Sequence, residues 1–292
     1  MTTTERSLII ILSLCCLFQQ CVSFSSLTAV SGKSGSFSRQ RASLLLTNSS
    51  SDGDPSETND VATTLNLYGE ATIRSESVSP PHDKIFEFFS LPDSPSLLLR
   101  GSNNNEIVEL TNVDDDLRRA YEQQCNKVNA SAPKSDDRFY DVTTSGVKFP
   151  GLQIMSIATI GAKLIKEGYA GFPEYEFVLI RDSTYAKGSK VFVWFFNKVT
   201  GKDKDKRSEE QSTQSLNRIR VTPSEDGSIA LECNANLSIS IKIPALLMKI
   251  IPNKEKAEET GGESLRNTLN GDIPNALSGF RQEYMNWRNS SS

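Results

Sequence analysis

A single histidine, His82, serves the whole 292-residue chain, and tryptophan (two) and cysteine (five) are nearly as scarce. One imidazole cannot build a multi-histidine metal site. No serine or cysteine motif singles out His82 as a general base, and its place beside Pro81 predicts an exposed residue at a helix start. Cys15, Cys16 and Cys21 crowd the N-terminus, which leaves Cys125 and Cys233 for the rest of the chain. Two distant cysteines with no CxxC spacing match neither a zinc site nor a disulfide framework, although a regulatory disulfide between them stays open. Basic charge is also in short supply: the formal net charge is −4, and the N-terminal segments contribute none of the acidity. Without a basic excess there is no counterion-release drive toward a phosphate backbone, so nucleic acid is excluded as a partner. After residue 18 no apolar run is long enough to cross a bilayer, and nothing points to a cofactor or a metal.

What the N-terminus does contain is an address. Residues 1–23, "MTTTERSLIIILSLCCLFQQCVS", pair a short polar start carrying Arg6 with an apolar centre from Leu8 to Phe18 and small residues at Cys21 and Ser23. That layout predicts a signal peptide. Residues 24–51 are serine-rich, contain Lys33, Arg39 and Arg41, and lack any acidic residue, a transit-peptide composition that runs into a polar linker ending near residue 60. A signal part followed by a transit part, with Phe24 directly after the expected cut, resembles the bipartite presequences of algae with a secondary plastid. The resemblance implies a plastid protein, in the stroma. A secreted protein with a serine-rich leader is the alternative.

From Leu65 the periodicity is that of folded structure. Leu65, Leu67, Ala71 and Ile73 alternate with Asn66, Glu70, Thr72 and Arg74, which predicts a half-buried strand. "VSPPHDKIFEFFSL" predicts a helix with Pro81 in its first turn, and Glu106 to Thr111 a short strand. Residues 112–137 read as an inserted charged loop with one or two helical turns, Asp114 to Asp116 marking a solvated helix start. Strand signals then dominate: "RFYDVTT", "LQIMSIATIGAKLI", "YEFVLIRD", "KVFVWFFNKV" and "NRIRVT", with a charged insert at 200–215. From Ile229 to Ile243 apolar residues hold the odd positions and polar ones the even, the pattern of a long strand with one buried and one wet face. Leu265, Leu269, Ile273, Leu277, Phe280, Tyr284 and Trp287 form the stripe of a long amphipathic helix, which Gly271 and Pro274 are expected to bend or briefly break.

Strand, helix, many antiparallel strands and a long terminal helix predict an α+β fold. The order is similar to the helix-grip (START-like, SRPBCC) arrangement, a curved antiparallel sheet wrapped around the C-terminal helix with room for a cavity between. The C-terminal third, "LSISIKIPALLMKIIPNKEKAEETGGESLRNTLN" followed by "FRQEYMNW", resembles the cyanobacterial and plastid family known as domain of unknown function nineteen ninety-seven. The resemblance spans roughly 63–288 and implies a START-like domain over 61–290 with no catalytic motif to transfer.

The stretch "PALLMKIIP" (244–252) places Leu247, Met248 and Ile251 between two prolines, as core under the sheet or as the rim of an apolar cavity. Trp194 reads first as core packing and otherwise, with Phe280 and Tyr284, as a cavity-facing aromatic. These six residues are the candidate ligand site. The expected function is a non-catalytic plastid protein that holds a lipid, pigment or isoprenoid. The alternatives are a scaffold for a photosynthetic complex, using its charged inserts, and a cyclase- or hydrolase-like enzyme using Arg181, Asp182 or Tyr185.

Overall fold

The computed structural model describes residues 63–101, 105–149, 152–191, 193–194, 211–243 and 253–290. Seven strands form one antiparallel sheet: β1 (Thr63–Arg74), β2 (Glu106–Glu109), β3 (Arg138–Phe149), β4 (Leu152–Ile165), β5 (Glu174–Gly188), β6 (Gln211–Pro223) and β7 (Ile229–Ile243), in the order β1-β7-β6-β5-β4-β3-β2. Helices α1 (Ile85–Phe89) and α2 (Ser94–Arg100) separate β1 from β2, α3 (Asp115–Val128) precedes β3, and α4 (Lys254–Ser290) ends the chain. The fold is α+β, a curved antiparallel sheet gripping a long C-terminal helix.

The alternation in β1 and β7 decides their pairing. Their register runs unbroken from Thr63 opposite Ile243 to Arg74 opposite Glu232, so Leu65, Leu67, Leu237 and Ile239 all point to one face. A slip of one residue would turn that whole set toward water. Helix α4 packs along β1 at very short range. A Cβ on Gly69 would lie 2.7 Å from Leu265 Cβ, and one on Gly262 would lie 2.7 Å from the Tyr68 carbonyl oxygen. Glu258 Oε1 accepts the Asn66 amide at 2.7 Å, so the helix also occupies the free edge of this terminal strand. Asn253 caps α4, its Oδ1 accepting from Lys256 N at 3.2 Å.

The interior is closed at one end by aromatic rings. Phe88 stands 5.0 Å from Phe280 and 5.3 Å from Tyr284, and Phe89 stacks on Tyr175 at 5.3 Å. Arg288 Nη1 holds α4 to the loop before α1 through the Ser79 and Pro81 carbonyls. Among the described residues, every core residue lies within 65–287.

Several elements differ from expectation. The 112–137 insert is no loop: it supplies the four-turn helix α3, because Leu117, Tyr121 and Cys125 form an i, i+4, i+8 stripe that seals the outer face of the sheet over Phe139, Val178, Ile180 and Leu216. Asp114 does begin it, accepting from Leu117 N at 2.7 Å. "KVFVWFFNKV" is not a strand in its described part. β5 ends at Gly188, whose φ of 145° only glycine adopts readily, and Lys190, Val191, Val193 and Trp194 are helical. Pro81 lies ahead of α1, after a cis Pro80–Pro81 bond, rather than in its first turn. Helix α2 escaped notice. Helix α4 continues through Gly271 and Pro274 without a break, the Asn275 side-chain amide donating to the Gly271 carbonyl at 3.3 Å.

Candidate functional site

Away from the aromatic end, β5 and β6 part. β5 and β6 pair only from Glu174 opposite Arg220 to Val178 opposite Leu216. Beyond that point, among the described residues, β5 continues to Gly188 against β4 alone and Gln211–Ser215 continues against β7 alone. The sheet therefore splits between β5 and β6, and among the described residues the two strand edges there have no partner strand.

The inner surface beside this split is built by strict alternation. β1 contributes Leu65 and Leu67; β7 contributes Ala235, Leu237 and Ile239. Their register partners on β6 are polar: Asn217 faces Ala235, Ser215 faces Leu237 and Thr213 faces Ile239. Thr213 is 8% exposed, and its hydroxyl finds no partner among the described residues. A buried hydroxyl left unpaired costs about 1–3 kcal/mol. On β5 a bulge at Ile180 and Arg181 sends both outward, which brings Asp182 to the inner face opposite Ala158. An aliphatic face thus lies beside a row of hydroxyl and amide groups, with Leu65, Leu67, Leu237, Ile239, Thr213 and Ser215 all buried.

The sequence-derived candidates are dispersed. Phe280 and Tyr284 are fully buried in the aromatic end, packed on Phe88, and burial raises the Tyr284 hydroxyl above the usual phenol range. Trp194 sits just past β5 at the open end with 54% of its surface exposed, rather than in the core. Leu247, Met248 and Ile251 lie outside the described residues. Arg181 faces outward, its Nε donating to Thr159 Oγ1 at 3.3 Å, while Asp182 faces inward, so this pair does not converge on one point. His82 is structural: its Nε2–H donates to the Gly227 carbonyl at 3.0 Å.

A buried charge cluster on the outer face went unnoticed in the sequence. Lys163, 1% exposed, donates to the Ser131 and Ala132 carbonyls at 2.5 and 2.6 Å and lies 3.7 Å from Asp137. Directly across the strands, Glu176 sits between Lys163 and Arg218 in register, accepting from Arg218 Nε at 2.8 Å and from Ser131 N at 2.9 Å. The two buried carboxyls respond oppositely. Burial lifts Asp137 above the usual carboxylate range despite its hydrogen bond from Lys134 N and the nearby ammonium. Burial also opposes ionisation of Glu176, but the Arg218 and Ser131 hydrogen bonds outweigh it and hold that carboxyl low. With carbonyls of the 131–132 segment as its main acceptors, the cluster fastens the chain after α3 to the sheet. A lone lysine within the apolar "ATIGAKLI" was the available signal.

Beside this cluster, an open hollow of about 470 Å³ lies between α3 and residues 133–139, with Asp115, Arg118, Glu122 and Lys134 on its walls. Arg118 is spread over the Phe139 ring at 5.9 Å, and the mixed charges select no ligand of one sign. Among the described residues no group of three potential ligands could hold a metal, and no helix is long and apolar enough to cross a membrane. Cys125, on α3, packs against the outer face of the sheet and Cys233 lies on the inner face of β7; both are free and buried. No family model and no curated protein matches the chain.

Proposed function

We propose that this protein is a non-catalytic plastid protein that holds a hydrophobic molecule with a polar end, of the lipid, pigment or isoprenoid kind, between α4 and the open end of the sheet. The observation that carries the reading is the split between β5 and β6. It ends the β5–β6 pairing beside the aliphatic wall of Leu65, Leu67, Leu237 and Ile239, which is buried, and beside a buried Thr213 hydroxyl that has no partner among the described residues. The plastid location rests on the signal-plus-transit layout of residues 1–60, and the resemblance of the C-terminal third to a cyanobacterial and plastid family supports it. The scaffold alternative loses part of its basis, because the 112–137 insert is committed to packing against the sheet.

The test is native mass spectrometry of residues 61–292 after exposure to plastid extract. A retained mass is expected, released on denaturation and lost when Leu237→Trp fills the wall facing Ser215. No retained mass, together with an experimental structure whose open end is filled by its own side chains, would overturn the reading.

A further inference from the structure

Val191 and Trp194 are the most exposed large apolar residues described, at 72% and 54% of their surface. They are three residues apart in a helical turn, closed by the Val193 amide on the Ser189 carbonyl at 3.0 Å, and so share one side of it. The turn follows Gly188, which pairs with Leu152 at the open end of the grip. Lys187 and Lys190 flank it, both exposed. In a chain of net charge −4, residues 183–200 include three lysines and no acidic residue.

The geometry points to this turn as a docking surface for an anionic lipid bilayer. Tryptophan partitions to the headgroup level, with its ring against acyl chains and its N–H toward water. Val191, on the same side, enters the acyl boundary, and lysines beside it extend their ammonium groups to lipid phosphates. Two exposed lysines beside two exposed apolar side chains meet a negatively charged membrane with complementary chemistry on both counts. The inference goes beyond ligand holding: docking is read with vesicles and retention by mass spectrometry, so either can fail alone.

Residues 61–292, free of the apolar leader, are floated with vesicles of phosphatidylcholine alone and with about one-third phosphatidylglycerol. The protein is expected to float with the anionic vesicles, with a blue shift of tryptophan emission that survives Trp287→Phe. Val191→Asp and Trp194→Asp should each reduce the bound fraction about tenfold or more. Lys187→Ala and Lys190→Ala should each reduce it about fivefold on anionic vesicles only. Thermal midpoints should stay unchanged in all four. Failure to float with anionic vesicles overturns the proposal, as does flotation indifferent to the two aspartate variants. A dimer that dissociates on Trp194→Asp would overturn it as well, by making the turn an interface between copies.

Discussion

Gly161 on β4 offers a quantitative probe of how α3 is seated. A Cβ built on this glycine would lie 2.3 Å from Tyr121 Cε2, 2.7 Å from Cδ2 and 2.9 Å from Cζ. The closest of these is more than about 1 Å short of a comfortable carbon–carbon contact near 3.5 Å. The ring has little room to yield. It meets Phe139 edge-on at 5.2 Å, and its hydroxyl donates to Asp137 Oδ2 at 3.2 Å. Gly161→Ala should therefore fall at the upper end for overpacking, about 3 kcal/mol, offset by about 0.5–1 kcal/mol from relieving a glycine inside a strand. The net loss of about 2 kcal/mol corresponds to a thermal midpoint lower by about 4–8 °C for a domain of this size. Tyr121→Ala alone should cost about 3–5 kcal/mol. In that background Gly161→Ala has nothing to strike and should become neutral or stabilising by about 0.5 kcal/mol. The double-mutant cycle, measured by urea unfolding of residues 61–292, is expected to give a coupling of about 2–2.5 kcal/mol. Additive effects of the two substitutions would show that the ring does not lie on Gly161 and that α3 is seated differently.

The charge cluster beneath the same helix yields two further expectations. Lys163→Met should destabilise by about 3–5 kcal/mol because Asp137 is left buried without its cation, and adding Asp137→Asn should recover part of the loss; a neutral Lys163→Met in urea unfolding would refute the buried pairing. Glu176, whose folded pKa is depressed, contributes stability above the unfolded carboxyl value of about 4.3 that disappears as pH falls through the folded value. Asp137 and Glu174, both raised by burial, act in the opposite sense: their contribution is complete below the unfolded value and is lost as pH rises through the folded one. Glu176→Gln should thus be less stable at neutral pH and lose less on acidification below about pH 4.3 than the unaltered protein; parallel urea-midpoint curves would contradict this.

Much of the architecture was legible because simple periods were intact. β1 and β7 alternate without interruption and appear where their periodicity places them, and the α4 stripe names the residues that face the sheet. The errors have physical causes. Charged residues outnumber apolar ones in α3, and the three that matter, Leu117, Tyr121 and Cys125, gain their meaning only against Gly161 and Val178, which are distant in sequence. "VFVWFF" has strand propensity, but Gly188 turns the chain out of the sheet before a partner strand can pair with it. Of the candidate site, Phe280 and Tyr284 belong to the apolar stripe of α4 and are buried. Periodicity alone could not reveal that other rings already fill the space around them. Of the polar row, Thr213 and Ser215 were hidden within the charged insert at 200–215, and Asn217 was simply the polar start of the strand "NRIRVT".

β5 connects these observations. Phe177 and Leu179 face α4's side, while Val178 and Ile180 face α3, so the apolar run from Phe177 to Ile180 belongs to a strand covered on both faces, unlike β7 with its wet outer face. The extra residue at Ile180–Arg181 then resets the phase. Without the bulge, continued alternation would turn Arg181 into the grip and Asp182 outward; with it, the guanidinium reaches Thr159 on the outer face and the inner surface receives the shorter Asp182. Pairing with β6 stops at Val178, two residues before the bulge, and the added twist of a bulged strand is a sufficient cause for β5 to turn away from β6. The parting of β5 from β6 beside the aliphatic wall and the exposure of Val191 and Trp194 just past β5 thus follow from one extra residue and the glycine that ends the strand.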